Sequence, residues 1–239
     1  MLSYRDSCIT NATFVYLSIH NDDLVVKTSR SCRLAGRRGT VNLSRMGFTR
    51  AELEAARDRS VPDLVGDEVR LLFVGINPGL WTAAAQAHFA RPGNRFYKAL
   101  HRAGITPFII DPRDGFSDEE RAALTSRGIA ITNLVNRATA RADELDDDEY
   151  RQGARRVVAR VSKWKPRVVA FVGLGAYRTA FGRPKARIGR QDDHVIASAE
   201  VWALPNPSGL NAHYQLDDLA PLFRAAASAA GIALTRRPS

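Results

Sequence analysis

The fold is decided by the stretch LLFVGINPG at residues 71–79. Its first part, Leu71–Val74, is a short and continuous apolar run, which is typical of a strand buried on both faces of a sheet. The second part combines glycine, asparagine and proline, the residue types that end strands and form turns. In an open α/β fold, ligands bind at the loops that follow the carboxyl ends of such strands. The stretch therefore predicts both a fold class and a candidate site.

The same pattern recurs near the end of the chain, where the apolar run Val201–Leu204 precedes the loop PNPSGLN at residues 205–211. Between the two loops, segments with strand and helix patterns alternate. We predict strands at 69–75, 129–135 and 167–172, a hairpin near 194–204, and helices at 94–103, from 117 to before 128, at 147–164, after 173 and at 216–229. This order predicts a single-domain α/β fold, with an open, mainly parallel sheet covered by helices on both faces. Both loops then meet at one edge of the sheet as one composed site.

Length and composition limit the classes of protein that fit the chain. Its 239 residues are 45% hydrophobic, which suits one domain with a sizeable core, and its net charge of +10 favours polyanionic partners. The two cysteines, Cys8 and Cys32, exclude a four-cysteine zinc or iron–sulfur site within one chain. No apolar run reaches the length of a membrane helix, and Phe14–Ile19 is too short for a signal-peptide core. We therefore expect a cytoplasmic protein without membrane contact, and a monomer because no extra apolar surface is evident.

The first 45 residues differ in character from the rest. They carry a basic run, Arg30–Arg38, without a helical period, whereas a capping-box pattern opens a helix soon after Met46. We interpret residues 1–45 as an N-terminal extension that is disordered or dispensable, and Met46 as a candidate true start. Residues 46–239 then form the functional domain, with a core at about 63–231.

Asn77 is the first candidate functional residue, because it follows the first buried strand and precedes Pro78. Proline fixes the turn, and the flanking glycines Gly75 and Gly79 allow a ligand to approach closely. A side-chain amide in a cleft can accept a hydrogen bond from water but has no useful basicity. It suits a reaction with a good leaving group, in which positioning of the water provides most of the catalysis. The alternative is that Asn77 is only a structural turn residue.

Two apolar residues in loops are further candidates. Phe89 lies in a loop rich in proline and glycine, where an aromatic ring can stack on a base, although by itself the residue is more typical of a core position. Leu210 lies beside Gly209 among polar turn residues. Enzymes that act on a base flip it out of the helix, and an apolar wedge in the vacated space offsets the unstacking. The alternative is a turn whose leucine packs on the domain.

Two charged clusters resemble metal sites but have structural explanations. The acidic run Asp143–Glu149 opens a predicted helix, where carboxylates offset the helix macrodipole. Asp192, Asp193 and His194 are expected in a turn before a strand. No set of histidine, cysteine and carboxylate residues has the spacing of a catalytic metal site, so we expect neither a metal nor a cofactor.

Four motifs together resemble the mismatch-specific uracil-DNA glycosylase and thymine-DNA glycosylase family. They are GINPGL at 75–80, HFARPGNRF at 88–96, TNLVNRAT at 132–139 and LPNPSGL at 204–210, in matching order and spacing over roughly residues 63–231. The resemblance implies a three-layer α/β fold and a location on the nucleoid. It also implies an enzyme that flips uracil, a related damaged base or thymine out of double-stranded DNA at G·U or G·T mismatches. Such an enzyme hydrolyses the N-glycosidic bond and leaves an abasic site.

The resemblance further implies roles for individual residues. Asn77 matches the asparagine that positions the attacking water, and Thr139 matches a threonine that helps to hold this water. The base pocket is matched by Ile76, Phe89, Thr82 and Asn133, with Phe89 stacked on the flipped base. The loop that inserts into DNA and reads the opposite guanine is matched by Ser208, Gly209 and Leu210.

Some features of the sequence depart from the pattern of the family or lie outside its motifs. Trp81 and Thr82 follow the Asn77 loop and can change the fit around the 5-position of the base. Six cations are candidate phosphate ligands or solvated surface residues: Lys163, Lys165, Arg178, Arg183, Lys185 and Arg187. No lysine matches the catalytic position, so we expect a monofunctional glycosylase without strand cleavage. Two alternatives stay open, namely a mismatch or abasic-site sensor with little turnover and a hydrolase of free nucleotides.

Overall fold

The computed structural model describes residues 14–20, 23–29 and 47–235, and the chain divides into two compact units, residues 1–44 and 45–239. In the first unit, β1 (Phe14–His20) and β2 (Asp23–Ser29) form an antiparallel hairpin that the sequence patterns do not predict. The expectations for Cys8, Cys32, Met46 and the run from 30 to 38 lie outside the described residues. Whether residues 1–45 are dispensable stays a prediction.

The second unit is built on a five-stranded sheet with the order β4-β3-β5-β7-β6. Four of the strands are mutually parallel, and β6 is antiparallel to its neighbour β7. The predicted open, mainly parallel sheet is therefore confirmed. The strands are β3 (Leu71–Gly75), β4 (Ile129–Asn133), β5 (Val168–Val172), β6 (Gly189–Ile196) and β7 (Ala199–Leu204).

Helices cover both faces of this sheet. They are α1 (Arg50–Glu54), α2 (Leu80–Ala85), α3 (Phe96–Arg102), α4 (Asp118–Thr125), α5 (Asp147–Trp164), α6 (Leu174–Phe181) and α7 (Leu216–Ala229), with a short 3-10 helix at Ala142–Glu144. Successive residues of β3 point to opposite faces, so Leu71 and Phe73 pack under α3, α4 and α7. Leu72 and Val74 pack under α5 and α6, which explains why the whole strand is apolar.

Local capping explains where several helices begin. Thr49 and Glu52 form the predicted capping box of α1, and Ser117 caps α4 in the same way. Asp146 and Glu149 form the box of α5, which confirms the structural interpretation of the acidic run. The patterns miss α2 and the 3-10 helix, because both segments are too short for an apolar period to be visible. None of the helices in the described ranges is long and apolar enough to cross a membrane.

One local expectation is wrong. Asp192, Asp193 and His194 lie inside β6 and not in a turn before it, since the strand begins at Gly189. The pairing with β7 shifts between Arg190 and Val195, so the three residues form a bulge in an edge strand. A bulged edge tolerates consecutive polar residues because its outer side is open to water, and this hides the strand pattern.

Candidate active site

The loops that follow β3 and β7 meet at the carboxyl edge of the sheet, around a cavity of about 140 Å³. This cavity is lined by all of the predicted site residues except Gly209 and Leu210, namely Ile76, Asn77, Thr82, Phe89, Asn133, Thr139 and Ser208. Gly209 and Leu210 line an adjoining groove of about 220 Å³. The two loops, which are distant in sequence, therefore line one cavity as expected.

The amide of Asn77 is held in one orientation. Its Nδ2 donates to the backbone oxygen of Arg137 at 3.0 Å and to Oγ1 of Thr139 at 2.7 Å. A backbone carbonyl can only accept, so the nitrogen of the amide must face Arg137. Within the part of the chain that the structure describes, no hydrogen bond involves Asn77 Oδ1. This oxygen is left to accept a hydrogen bond from a water in the cavity.

Thr139 is brought to Asn77 by contacts between two loops. Its backbone N–H donates to the carbonyl of Pro78 at 3.2 Å, and Gly79 and Thr139 form an isolated parallel bridge. The Thr139 hydroxyl donates to the backbone oxygen of Arg141 at 2.7 Å. With its proton committed there, this hydroxyl can only accept from Asn77. Thr139 therefore orients the amide.

Asn133 is oriented by a buried histidine. Burial lowers the pKa of His88 to about 4, so the ring is neutral near pH 7. Nε2 of His88 lies 3.0 Å from the carbonyl of Pro62 and must carry the proton, which leaves Nδ1 to accept from Asn133 Nδ2 at 3.3 Å. The other end of the amide, Oδ1, then lies against Gly75 at the end of β3. Sequence patterns place His88 in a loop but contain no signal for this role.

Phe89 combines the two interpretations that the sequence left open. Its ring stacks on the fully buried Phe96, with 3.9 Å between centroids and 16° between planes, and it also lines the cavity. Its φ of 55° lies in the left-handed region, which is rare for a bulky residue. Such backbone strain persists only where the surroundings enforce it and is concentrated at functional sites. The ring of Phe89 therefore packs on the core through Phe96 and also borders the cavity.

Leu210 does not pack on the domain, because 80% of its surface is exposed. The loop around it lies close to the loop before α3. A Cβ added to Gly209 would lie 2.8 Å from the carbonyl of Gly93, so only glycine fits there without a shift. The exposed leucine therefore projects from a loop that the rest of the site holds in place.

Trp81 and Thr82, the two residues expected to affect the fit of the base, differ in their positions. Thr82 in α2 is buried and lines the cavity. Trp81 is absent from the cavity lining, since its Nε1 donates to the carbonyl of Arg113 at 2.9 Å and its ring contacts Phe48 edge-on. Of these two residues, Thr82 alone therefore lines the cavity, and an effect of either residue on the fit of the base stays a prediction.

The structure brings other cations to the site than those predicted. Arg91 and Arg141 line the cavity and are exposed; Arg91 lies within the motif at 88–96, whereas no sequence signal distinguishes Arg141. Lys163 and Lys165 lie at the end of α5, which precedes β5 and is therefore at the opposite edge of the sheet. Arg178 donates to the carbonyl of Ala186, and Arg183 pairs with Asp193, so both cations have protein partners. Among the described residues, no group of three or more histidine, cysteine or acidic side chains could hold a metal ion.

Comparison with known proteins identifies the family. A solution NMR structure from Methanosarcina acetivorans, described as a "putative Uracil DNA glycosylase", is 17% identical to this chain. The match covers 70% of this chain and 97% of that chain, with a TM-score of 0.47. The family model described as the uracil DNA glycosylase superfamily matches residues 62–229, which include every residue of the cavity described above and well over half of the chain. This chain therefore belongs to the uracil DNA glycosylase superfamily.

Proposed function

We propose that this DNA glycosylase hydrolyses the N-glycosidic bond of uracil mispaired with guanine in double-stranded DNA and leaves an abasic site. The observation that carries the proposal is the orientation of Asn77. Its Nδ2 is occupied by Arg137 and Thr139, its Oδ1 has no hydrogen-bond partner among the described residues, and Asn77 lines a cavity large enough for water. A neutral amide cannot deprotonate this water, so the enzyme acts by positioning it against the sugar carbon.

Hydrolysis by a weakly activated water requires a leaving group that departs readily. Uracil leaves as an anion, and donors aimed at its developing charge lower the barrier in the manner of an oxyanion hole. Asn77 Oδ1 then accepts one hydrogen of the water and directs its lone pair. We assign Thr139 to the orientation of Asn77, since its hydroxyl proton is donated to Arg141.

The base pocket fits a pyrimidine with a hydrogen-bond donor at N3. Phe89 provides an aromatic surface for stacking, and stacking contributes about 1–3 kcal/mol per base. Asn133 offers its amide oxygen because His88 holds the nitrogen end. An oxygen accepts from the N3–H of uracil or thymine but is left unpaired by cytosine, whose N3 is an acceptor. The pocket thus favours deaminated bases over the parent cytosine.

Preference for a mismatch follows from the cost of flipping. A wobble-paired base is easier to extrude than a Watson–Crick pair. Leu210 fills the space left by the base, and the backbone beside Gly209 meets the opposite guanine. Thymine at a G·T mismatch has the same N3–H, so its excision depends on whether its methyl group fits near Thr82.

The first experiment is base release from a labelled duplex with a single U·G pair, for the wild type and Asn77→Ala. We expect abasic product that breaks only after alkali treatment, and a rate about 10²–10³-fold lower for the variant with unchanged DNA binding. Gln152→Ala, which removes an exposed amide of α5, is the matched control and should keep full activity.

The sensor alternative makes the opposite prediction. A wild type that binds the U·G duplex tightly in a salt-sensitive manner but releases no base would favour a mismatch or abasic-site sensor. Activity on free nucleotides without DNA binding would favour the nucleotide hydrolase. Strand cleavage without alkali would contradict the monofunctional mechanism.

A further inference from the structure

Arg95 joins three separate segments of the active-site region. It lies directly before α3, and its NH2 donates to the backbone oxygens of Ser208 and Asn211, both at 2.6 Å. Its NH1 donates to Oε1 of Gln215, the N-cap of α7, at 2.9 Å, and its backbone N–H donates to the carbonyl of Pro207 at 2.9 Å. One residue therefore holds the loop around Leu210 at both ends.

The arrangement is unusual in its chemistry. Among the described residues, no carboxylate pairs with Arg95, so oxygen dipoles of the loop surround the guanidinium. Its Nε is buried and has no hydrogen-bond partner in the part of the chain that the structure describes. A buried donor without a partner destabilises the fold, and such groups need an explanation beyond stability. The contacts of the fork provide one, because its two terminal nitrogens reach the carbonyls of Ser208 and Asn211 and the side chain of Gln215 at the same time.

The next residue in the chain serves the other half of the site. Phe96 supports Phe89 by stacking at 3.9 Å. Arg95 thus holds the exposed Leu210 loop, and its neighbour Phe96 supports the aromatic ring that borders the cavity. A shift of the Leu210 loop relative to Phe89 requires that the contacts of Arg95 break.

We propose that Arg95 is a positioning residue that holds the loop of residues 206–211 in the conformation in which Leu210 enters the duplex while the base moves to Phe89. This inference rests on the proposed function, because it assigns Leu210 the role of a wedge. Within the loop, Asn211 Nδ2 donates to the carbonyl of Asn206 at 2.8 Å, so the loop moves as one piece when Arg95 releases it. Without Arg95, the enzyme still binds the duplex, but the bound complex flips the base more slowly.

The test uses a U·G duplex with 2-aminopurine beside the uracil, whose fluorescence rises when the neighbouring stack opens. Fluorescence and single-turnover base release are measured for Arg95→Met, Leu210→Ala and the double variant. Lys98→Met is the matched control, since Lys98 is an exposed cation on α3 without a hydrogen bond or ion pair to the described residues. It removes the same charge and should leave both signals unchanged.

We expect Arg95→Met to slow base release about tenfold and to reduce the fluorescence rise to that of Leu210→Ala. The double variant should be no slower than Leu210→Ala alone, because both changes remove the same step. Arg95→Lys keeps the charge but not the fork, and it should give an intermediate rate. This variant serves as the test if Arg95→Met does not fold.

Other outcomes would overturn the inference. If the losses of Arg95→Met and Leu210→Ala multiply, or if Arg95→Met slows release from single-stranded DNA as much as from the duplex, Arg95 is merely structural. If the wild type gives no fluorescence rise, the role of Leu210 as a wedge and the role of Arg95 are both refuted. A normal fluorescence rise without base release would instead refute the proposed glycosylase and leave the role of Arg95 standing.

Discussion

Asn77 and Thr139 are joined by a hydrogen bond of 2.7 Å from Nδ2 to Oγ1, although they lie on loops after two different strands. Thr139 in turn donates to the carbonyl of Arg141, so its hydroxyl acts as an acceptor toward the amide. The second hydrogen of the amide is bound by the carbonyl of Arg137. Because two protein acceptors bind the amide nitrogen, the orientation of the whole amide, including Oδ1, is determined.

This relationship predicts that Thr139→Val lowers the rate of base release while Thr139→Ser preserves it. Valine has the same shape as threonine but leaves one amide hydrogen of Asn77 without its acceptor, at a cost of about 1–3 kcal/mol. Single-turnover rates on a U·G duplex should fall roughly tenfold for the valine variant. Equal rates for the two variants would show that the hydroxyl does not orient Asn77.

Because His88 is buried, we expect the free energy of unfolding to depend on pH. Burial lowers its pKa from 6.5 to about 4, so the unfolded state binds more protons between these values. The contribution of neutral His88 is complete above pH 6.5 and is lost as the pH falls toward 4, by about 3 kcal/mol in total.

Urea unfolding of the wild type and His88→Asn between pH 7 and pH 4 checks this prediction. The asparagine keeps a short polar side chain without a titrating group. The difference between the two proteins isolates His88 from other titrating groups, including His194, whose pKa is also lowered by burial. A difference that does not change with pH would contradict a buried neutral imidazole.

We expect a substitution at Gly209 to lower the activity of the enzyme without lowering its thermal stability. An alanine Cβ would lie 2.8 Å from the carbonyl of Gly93, so Gly209→Ala must displace the exposed Leu210 loop. We expect slower base release from duplex DNA and a thermal midpoint within a few degrees of the wild type, because surface changes away from the core are usually within about 0.5 kcal/mol.

Gly175→Ala in α6 is the matched control, since no atom beyond its chain neighbours and the backbone of its own helix lies within 4 Å of the added methyl group. It should stabilise the protein by about 0.5–1 kcal/mol through helix propensity and leave activity unchanged. If Gly209→Ala were as active as Gly175→Ala, the position of the loop would not matter for catalysis.

Phe89→Leu is expected to weaken the productive binding of the base. Leucine retains an apolar contact with Phe96 but loses the flat surface of the ring. Loss of base stacking costs about 1–3 kcal/mol, so kcat/KM on the U·G duplex should fall about tenfold or more. Binding to an abasic duplex, which contains no base to stack, should change little, and an equal loss there would point to misfolding of the loop.

The fold was predictable because its signals are local. The apolar run Leu71–Val74, the capping boxes at Thr49 and Ser117, and the helix from Asp147 to Trp164 each follow from neighbouring residues alone. Elements without such signals were missed. The short α2 depends on tertiary contacts, and β6 begins at Gly189 with a bulge that interrupts its alternation.

The sequence by itself determined the class of fold and the loops that carry Asn77, Phe89 and Leu210, because residue types and their spacing encode strands, caps and turns. Only the tertiary structure decided what these side chains do together. The hydrogen bonds of Thr139 to Asn77, of His88 to Asn133 and of Arg95 to the Leu210 loop join residues far apart in the chain. Their donors and acceptors acquire a direction only when the sheet brings its loops to one edge, since a hydrogen bond depends on distance and angle rather than on residue type.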